Sequence, residues 1–181
     1  MSGTTSATVV ACAIVLTLAG CGPEQPKSPA PQAEAPAPAP PKPPTFTVWA
    51  AEDPDGANLD RIQIVKGWVD ANGEPRDKVF DVAWSGNRRP GAGGRLPPVG
   101  NTVDLENATY TNRIGGAELM GRWTDSAFDP KRPALYYVRV LEIPTPRWTT
   151  YDAVRNNLPL LKDVPATVQE RAWTSPIWYT P

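Results

Sequence analysis

The clearest hydrophobic pattern in the chain runs from Leu59 to Trp84, LDRIQIVKGWVDANGEPRDKVFDVAW. Ile62, Ile64 and Trp68 share one parity, broken at Lys66, and Phe80, Val82 and Trp84 share one parity in a second arm. Apolar residues recurring with a period of two mark half-buried strands. Between the arms stands Asp70-Ala71-Asn72-Gly73-Glu74. Asn-Gly is a favoured turn pair because both residues tolerate positive φ. The pattern predicts a β-hairpin turning at Asn72-Gly73, with one buried apolar face.

The remaining segments extend this reading. Thr45–Ala50 alternates and predicts a first strand, Asn101–Leu105 a short one, and Ala117–Trp123 another. Ala134–Ile143 carries bulky residues on both faces, which places it centrally in a sheet, and Pro144 and Pro146 end it. Trp148 to Leu161 is the one stretch suited to a helical turn or short helix. Thr167 to Tyr179 closes the chain, interrupted at Pro176. Six to eight short strands separated by turn residues predict a mostly β fold, an antiparallel β-sandwich with one short helix.

Composition divides the 181 residues into three parts. All seven Trp, five Tyr and three Phe fall between residues 45 and 181, so this part alone can build a core, and its size suits one domain. Residues 1–20 contain an apolar run, Val9 to Leu18, too short to span a bilayer. It ends in Leu18-Ala19-Gly20-Cys21, which resembles a bacterial lipoprotein signal and predicts Cys21 as the lipidated new N-terminus. Several acyl chains anchor stably where one does not. Gly22 is compatible with outer-membrane sorting, facing the periplasm. The n-region carries no Lys or Arg, which keeps an ordinary secretory signal or a mis-assigned start codon as alternatives. With Cys12 removed and Cys21 acylated, the mature chain has no free thiol.

Residues 21–44 carry the lipidated Cys and a Pro/Ala-rich linker. Proline fixes φ and removes backbone donors, so the segment predicts a disordered, extended spacer reaching about 70 Å. A Pro-rich ligand for a partner domain is the alternative. The net charge of −1 provides no broad basic field, which sets nucleic acid aside as a partner.

Chemistry is narrowly bounded. The chain has no His, which removes the commonest general base and every Ser-His or Cys-His pair. Asp53, Asp55, Asn58 and Asp60 cluster in sequence, yet Ala57 stands where an EF-hand loop needs an oxygen ligand, so a tight turn is the better reading. Gly91, Gly93 and Gly94 lack a phosphate-binding spacing, and Arg88, Arg89 and Arg95 read as a solvated loop before an anion site. The acids Asp125, Asp129, Glu142, Asp152 and Glu170 are scattered, with no spacing that sets a pair across a cleft. Trp148, Trp173, Trp178 and Tyr179 with Arg147 and Arg171 would make a sugar or protein docking face if exposed, although burial in the sandwich is the commoner fate of Trp. Arg147 and Trp148 are the candidate binding residues. No catalytic residue, metal ligand or cofactor is assigned.

Several long stretches, DPDGANLDRIQIVKGW, VFDVAWSG, GNTVD, NATYTN, RVLEIPTPRWTTYDA and QERAWTSPIWYTP, resemble the C-terminal region of a bacterial family known as domain of unknown function 3604. The likeness covers nearly all of residues 45–181. The resemblance implies long exported proteins with a region similar to metal-dependent PHP-type phosphoesterases, marked by an early Gly-Asp-Leu-His-x-His. That motif is not in this sequence, so none of the family's metal ligands transfers to any residue here. Two readings follow: a lipid-anchored, non-catalytic module that binds a protein partner or small ligand, or a truncated piece or accessory subunit of a metal-dependent hydrolase. A carboxylate-based hydrolase is a third and weaker option.

Overall fold

The computed structural model describes residues 41–181. The predicted signal, Cys21 and the linker up to residue 40 lie outside the described residues. Among the described residues no helix is long and apolar enough to cross a membrane.

The predicted hairpin forms. Strand β2 (Leu59–Val69) pairs antiparallel with β3 (Pro75–Trp84), Val69 opposite Pro75 and Ile64 opposite Phe80. Its turn is a three-residue loop. The Gly73 N–H donates to the Asp70 carbonyl (3.1 Å) and the Asp70 N–H to the Glu74 carbonyl (2.9 Å). Only Gly73 takes positive φ, +83°, and Asn72 does not. This is the pattern of a type I turn closed by a glycine bulge, not the two-residue turn that Asn-Gly predicts. Asp70 decides the difference. Its carboxylate accepts the N–H groups of Asn72 (2.8 Å) and Glu74 (3.1 Å) and pairs with Arg76 Nε (2.9 Å). Those bonds, with Arg76 the largest cause, hold the Asp70 carboxyl below its ordinary range. Gly73→Val is expected to cost about 1–3 kcal/mol through backbone strain alone, because no atom lies within 4 Å of the new Cβ; urea unfolding checks it, and an unchanged midpoint would refute the turn assignment.

Both arms depart from simple alternation. Gln63 pairs with Asp81 but Ile62 with Ala83, so Val82 is an extra residue and the parity switches beyond Phe80. Ala83, not Trp84, fills the core opposite Ile62. Lys66 is no break in the buried face: it points the same way as Ile64 and is itself buried.

Strand β1 (Thr45–Ala51) pairs antiparallel with β4 (Glu118–Thr124). Strand β5 (Ala134–Glu142) lies beside β2, as its apolar run predicts, and its far edge pairs with β8 (Arg171–Trp173) and β9 (Ile177–Tyr179). Pro176 interrupts what is otherwise one edge strand. The β1–β4 sheet lays its inner side chains on the larger sheet, and Val48 and Leu119 meet Ile62, Ile64, Ala83 and Tyr136. The result is an antiparallel β-sandwich of unequal layers. Phe46 packs at a tilt against Tyr136 with 4.9 Å between ring centroids and Phe80 against Trp123 at 4.6 Å, so aromatic rings bridge the layers. A two-stranded ribbon joins β6 (Thr145–Pro146) to β7 (Thr167–Val168).

The helix α1 spans Trp148–Arg155 and is shorter than the stretch to Leu161. Asn157 adopts φ +52°, and the Leu158 N–H returns to the Ala153 carbonyl (2.8 Å). A left-handed residue with that bond closes the helix before Leu158. The strand predicted at Asn101–Leu105 does not form; a single bridge joins Asp104 to Thr109. The Asp104 carboxylate accepts the N–H of Glu106 (2.9 Å) and the side-chain amide of Asn107 (2.7 Å), curling this segment into a turn.

Candidate functional site

The largest cavity described, about 370 Å³, opens between the hairpin and the loop 125–133. Alternation puts Lys66 and Trp68 of β2 and Lys78 and Phe80 of β3 on the same face, and these supply one wall. The facing wall is the loop after β4. The Asp125 carboxylate accepts the Ala127 N–H (3.0 Å), Asp129 accepts that of Lys131 (2.9 Å), and the two turns place Phe128 against the cavity. Tyr179 pins the loop to β9: its hydroxyl donates to the Pro130 carbonyl (2.9 Å) and its ring meets Phe128 edge-on at 4.8 Å.

A buried network forms the floor. Lys66 Nζ forms an ion pair with Asp125 Oδ2 (2.5 Å) and donates to the Ala127 carbonyl (3.0 Å), and the Tyr136 hydroxyl donates to the same Oδ2 (2.7 Å). Burial, then the bond to Asp125, pushes the Tyr136 phenol well above its ordinary value, so it stays a protonated donor. Each polar group of the floor is thus engaged. A carboxylate already holding an ammonium, a phenol and an amide is a poor general base, and an ammonium so paired is a poor nucleophile. The cavity offers aromatic walls, Lys78 at an exposed rim, and Arg132 paired with Asp129 (3.0 Å). Such a composition serves binding.

Asp60 marks a second buried polar centre. It is the residue added to β2 where Leu59 pairs with Glu142 but Arg61 with Leu141, and the bulge turns its carboxylate inward. Arg61 Nε (3.0 Å) and Gln169 Nε2 (3.0 Å) bond Oδ2. Arg88 Nη2 stands 2.7 Å from Oδ1, but its N–H is directed at the Asp60 carbonyl (2.9 Å), so the contact with Oδ1 is one of charge without a directed hydrogen bond. Arg88 also donates to the carbonyls of Ser85 (3.0 Å) and Pro97 (2.9 Å). Its role is to staple the Gly-rich loop, which corrects the reading of Arg88 as solvated; Arg89 and Arg95 are exposed.

The turn at Asp53 forms, with the Gly56 N–H on the Asp53 carbonyl (2.8 Å), and it does not gather the four oxygen residues of that stretch. Asp60 goes to the arginines, and Asn58 clamps the Ile114 (2.8 Å) and Asn112 (3.0 Å) carbonyls. Among the described residues no three His, Cys, Asp or Glu stand where they could hold a metal ion. Glu142 lies near other acids: burial first, then Glu170, Asp53 and Glu52, raises its carboxyl above the ordinary range.

The candidate binding residues sit away from the cavity. Arg147 precedes α1, where its carbonyl accepts the Thr150 N–H (2.8 Å), and Trp148 begins the helix at 67% exposure. Neither lines the cavity beneath the hairpin. Burial, the commoner fate, does not hold for Trp148, Trp173 or Trp178, all largely exposed. Trp173 and Trp178 pair beside Arg139 and Leu135 and so share the sheet face turned from the core. Pattern reading missed the cavity because Lys66 and Asp125 are 59 positions apart and each is an ordinary surface residue type. The signal available was a Lys on the apolar parity of a strand.

No curated protein and no solved structure matches the chain. Residues 35–181 match the model of the family described as protein of unknown function (DUF3604). That span covers every described strand and both walls of the cavity, and the chain belongs to the DUF3604 family.

Proposed function

We propose that this protein is a cell-envelope lipoprotein whose β-sandwich is a non-catalytic binding or accessory module, anchored through Cys21 at the outer membrane and facing the periplasm. The observation that carries the binding role is the cavity beneath the hairpin, with three aromatic rings in its walls and a charged floor whose groups already satisfy one another. The anchor rests on the Leu18-Ala19-Gly20-Cys21 box. Exposed Trp173 and Trp178 on one sheet face favour a protein partner in addition to a small ligand.

Two measurements test the reading. Mass spectrometry of the mature N-terminus should find acylated Cys21; cleavage elsewhere or an unmodified thiol refutes the anchor. The purified protein should show no hydrolysis of phosphomonoesters or phosphodiesters with Mn²⁺, Mg²⁺ or Zn²⁺. Turnover that disappears with chelator and persists through stringent purification would instead establish the reading of a metal-dependent hydrolase.

A further inference from the structure

We infer that the cavity beneath the hairpin takes a small monoanion, a ring with an apolar face that bears one carboxylate, with the ring among Trp68, Phe80 and Phe128 and the carboxylate at Lys78. The inference rests on the binding-module reading and specifies its ligand.

The hairpin register carries it. Lys66 stands directly opposite Lys78 on the same face of β2 and β3. Like charges at such positions repel, and a folded chain offsets them with nearby anions. Lys66 has its anion in Asp125, and Arg132 has Asp129. Among the described residues no carboxylate lies within ion-pair range of Lys78. The Lys78 ammonium instead sits 5.1 Å over the Phe80 ring, which orients it at the cavity rim without cancelling its charge. The cavity therefore holds one uncompensated positive charge beside aromatic surface.

The same groups set the ligand's charge and shape. The cavity's other charges are paired, Lys66 with Asp125 and Arg132 with Asp129, so a second negative charge on the ligand would meet no free cation. Arg132 is occupied by Asp129 and offers no free fork for a phosphate, which favours a carboxylate met by a single ammonium. Trp68, Phe80 and Phe128 present ring faces and edges, which suit a flat apolar surface, either an aromatic ring or the C–H face of a pyranose. A volume of about 370 Å³ lies at the small end of ligand sites and admits one or two rings.

The test uses the purified full-length protein. Four probes separate charge from ring: 2-naphthoate against 2-naphthylmethanol, and galacturonate against galactose. Binding is read by calorimetry and by the indole N–H resonance of Trp68. At least one acid should bind and move that resonance, about tenfold more tightly than its neutral partner. Lys78→Gln should remove that preference and leave neutral binding unchanged, while Lys162→Gln, outside the cavity, should change neither. Whichever acid binds identifies the ring. Equal binding of acid and neutral partner, or an acid indifferent to Lys78→Gln, overturns the anion assignment but leaves the binding module standing. If none of the four moves the Trp68 resonance, the ligand assignment is overturned.

Discussion

Asp125→Ala is expected to cost about 3–5 kcal/mol of folding stability, the range for removing one partner of a buried ion pair. Asp125 is 1% exposed, Lys66 6% and Tyr136 2%. Without the carboxylate, the Lys66 ammonium keeps only the Ala127 carbonyl, the Tyr136 hydroxyl has no acceptor, and the Ala127 N–H loses the bond that shapes the loop. An unpaired buried charge dominates the loss; each orphaned neutral donor adds about 1–3 kcal/mol at most. The companion variant is Lys66→Met with Asp125→Asn. The amide oxygen can still accept from Tyr136, and no charge remains buried, so the double variant should be more stable than Asp125→Ala. Urea unfolding of Lys66→Met, Asp125→Asn and the pair yields the coupling energy. A loss below about 1 kcal/mol for Asp125→Ala would show that the floor is solvated in solution and the cavity differently built.

Gly115→Ala is expected to be comparably damaging for a different reason. Gly115 has φ +84°, and a Cβ there would stand 2.5 Å from Asn58 Cβ and 2.7 Å from Ile143 Cγ2. Neither neighbour can yield. Asn58 is tied to the carbonyls of Asn112 and Ile114, and Ile143 is fully buried with its N–H on the Asn58 carbonyl (2.8 Å). Left-handed strain of about 1–3 kcal/mol and overpacking of about 1–3 kcal/mol add to roughly 2–6 kcal/mol, a large share of a domain's total stability. Gly73→Ala is the control, since Gly73 has the same backbone sign and open space around it. Thermal melts should rank Gly115→Ala well below Gly73→Ala. Equal melting temperatures would mean that the Asn58 clamp is not formed.

The sequence alone determined the strand content and the order of the principal strands. Alternation around Ile62, Ile64 and Phe80, the turn residues Asp70 to Gly73, and the doubly apolar run at Ala134 state local preferences that the fold keeps. They survive because both sheet faces and turns are read over a few neighbouring residues. What failed locally failed for an identifiable cause. The bulge at Val82 displaces Trp84 from the core, the Asp70 carboxylate replaces a two-residue turn by a three-residue one, and Asn157 ends the helix before Leu158.

Only the tertiary structure decided the site. Lys66 reads as an interruption of the apolar face until β4 and its loop bring Asp125 and Ala127 to it, and Asp60 reads as a loop acid until Arg61, Arg88 and Gln169 close around it. Burial of a charge depends on partners supplied from distant positions, and periodicity carries no information about them. The same holds for Trp148, Trp173 and Trp178, whose size favours burial but whose places, at a helix start and on the sheet edge beside β5, leave them in solvent. Pairing residues far apart in sequence is the work of the sheet register, and the register is what sets Lys78 opposite Lys66 at the mouth of the cavity.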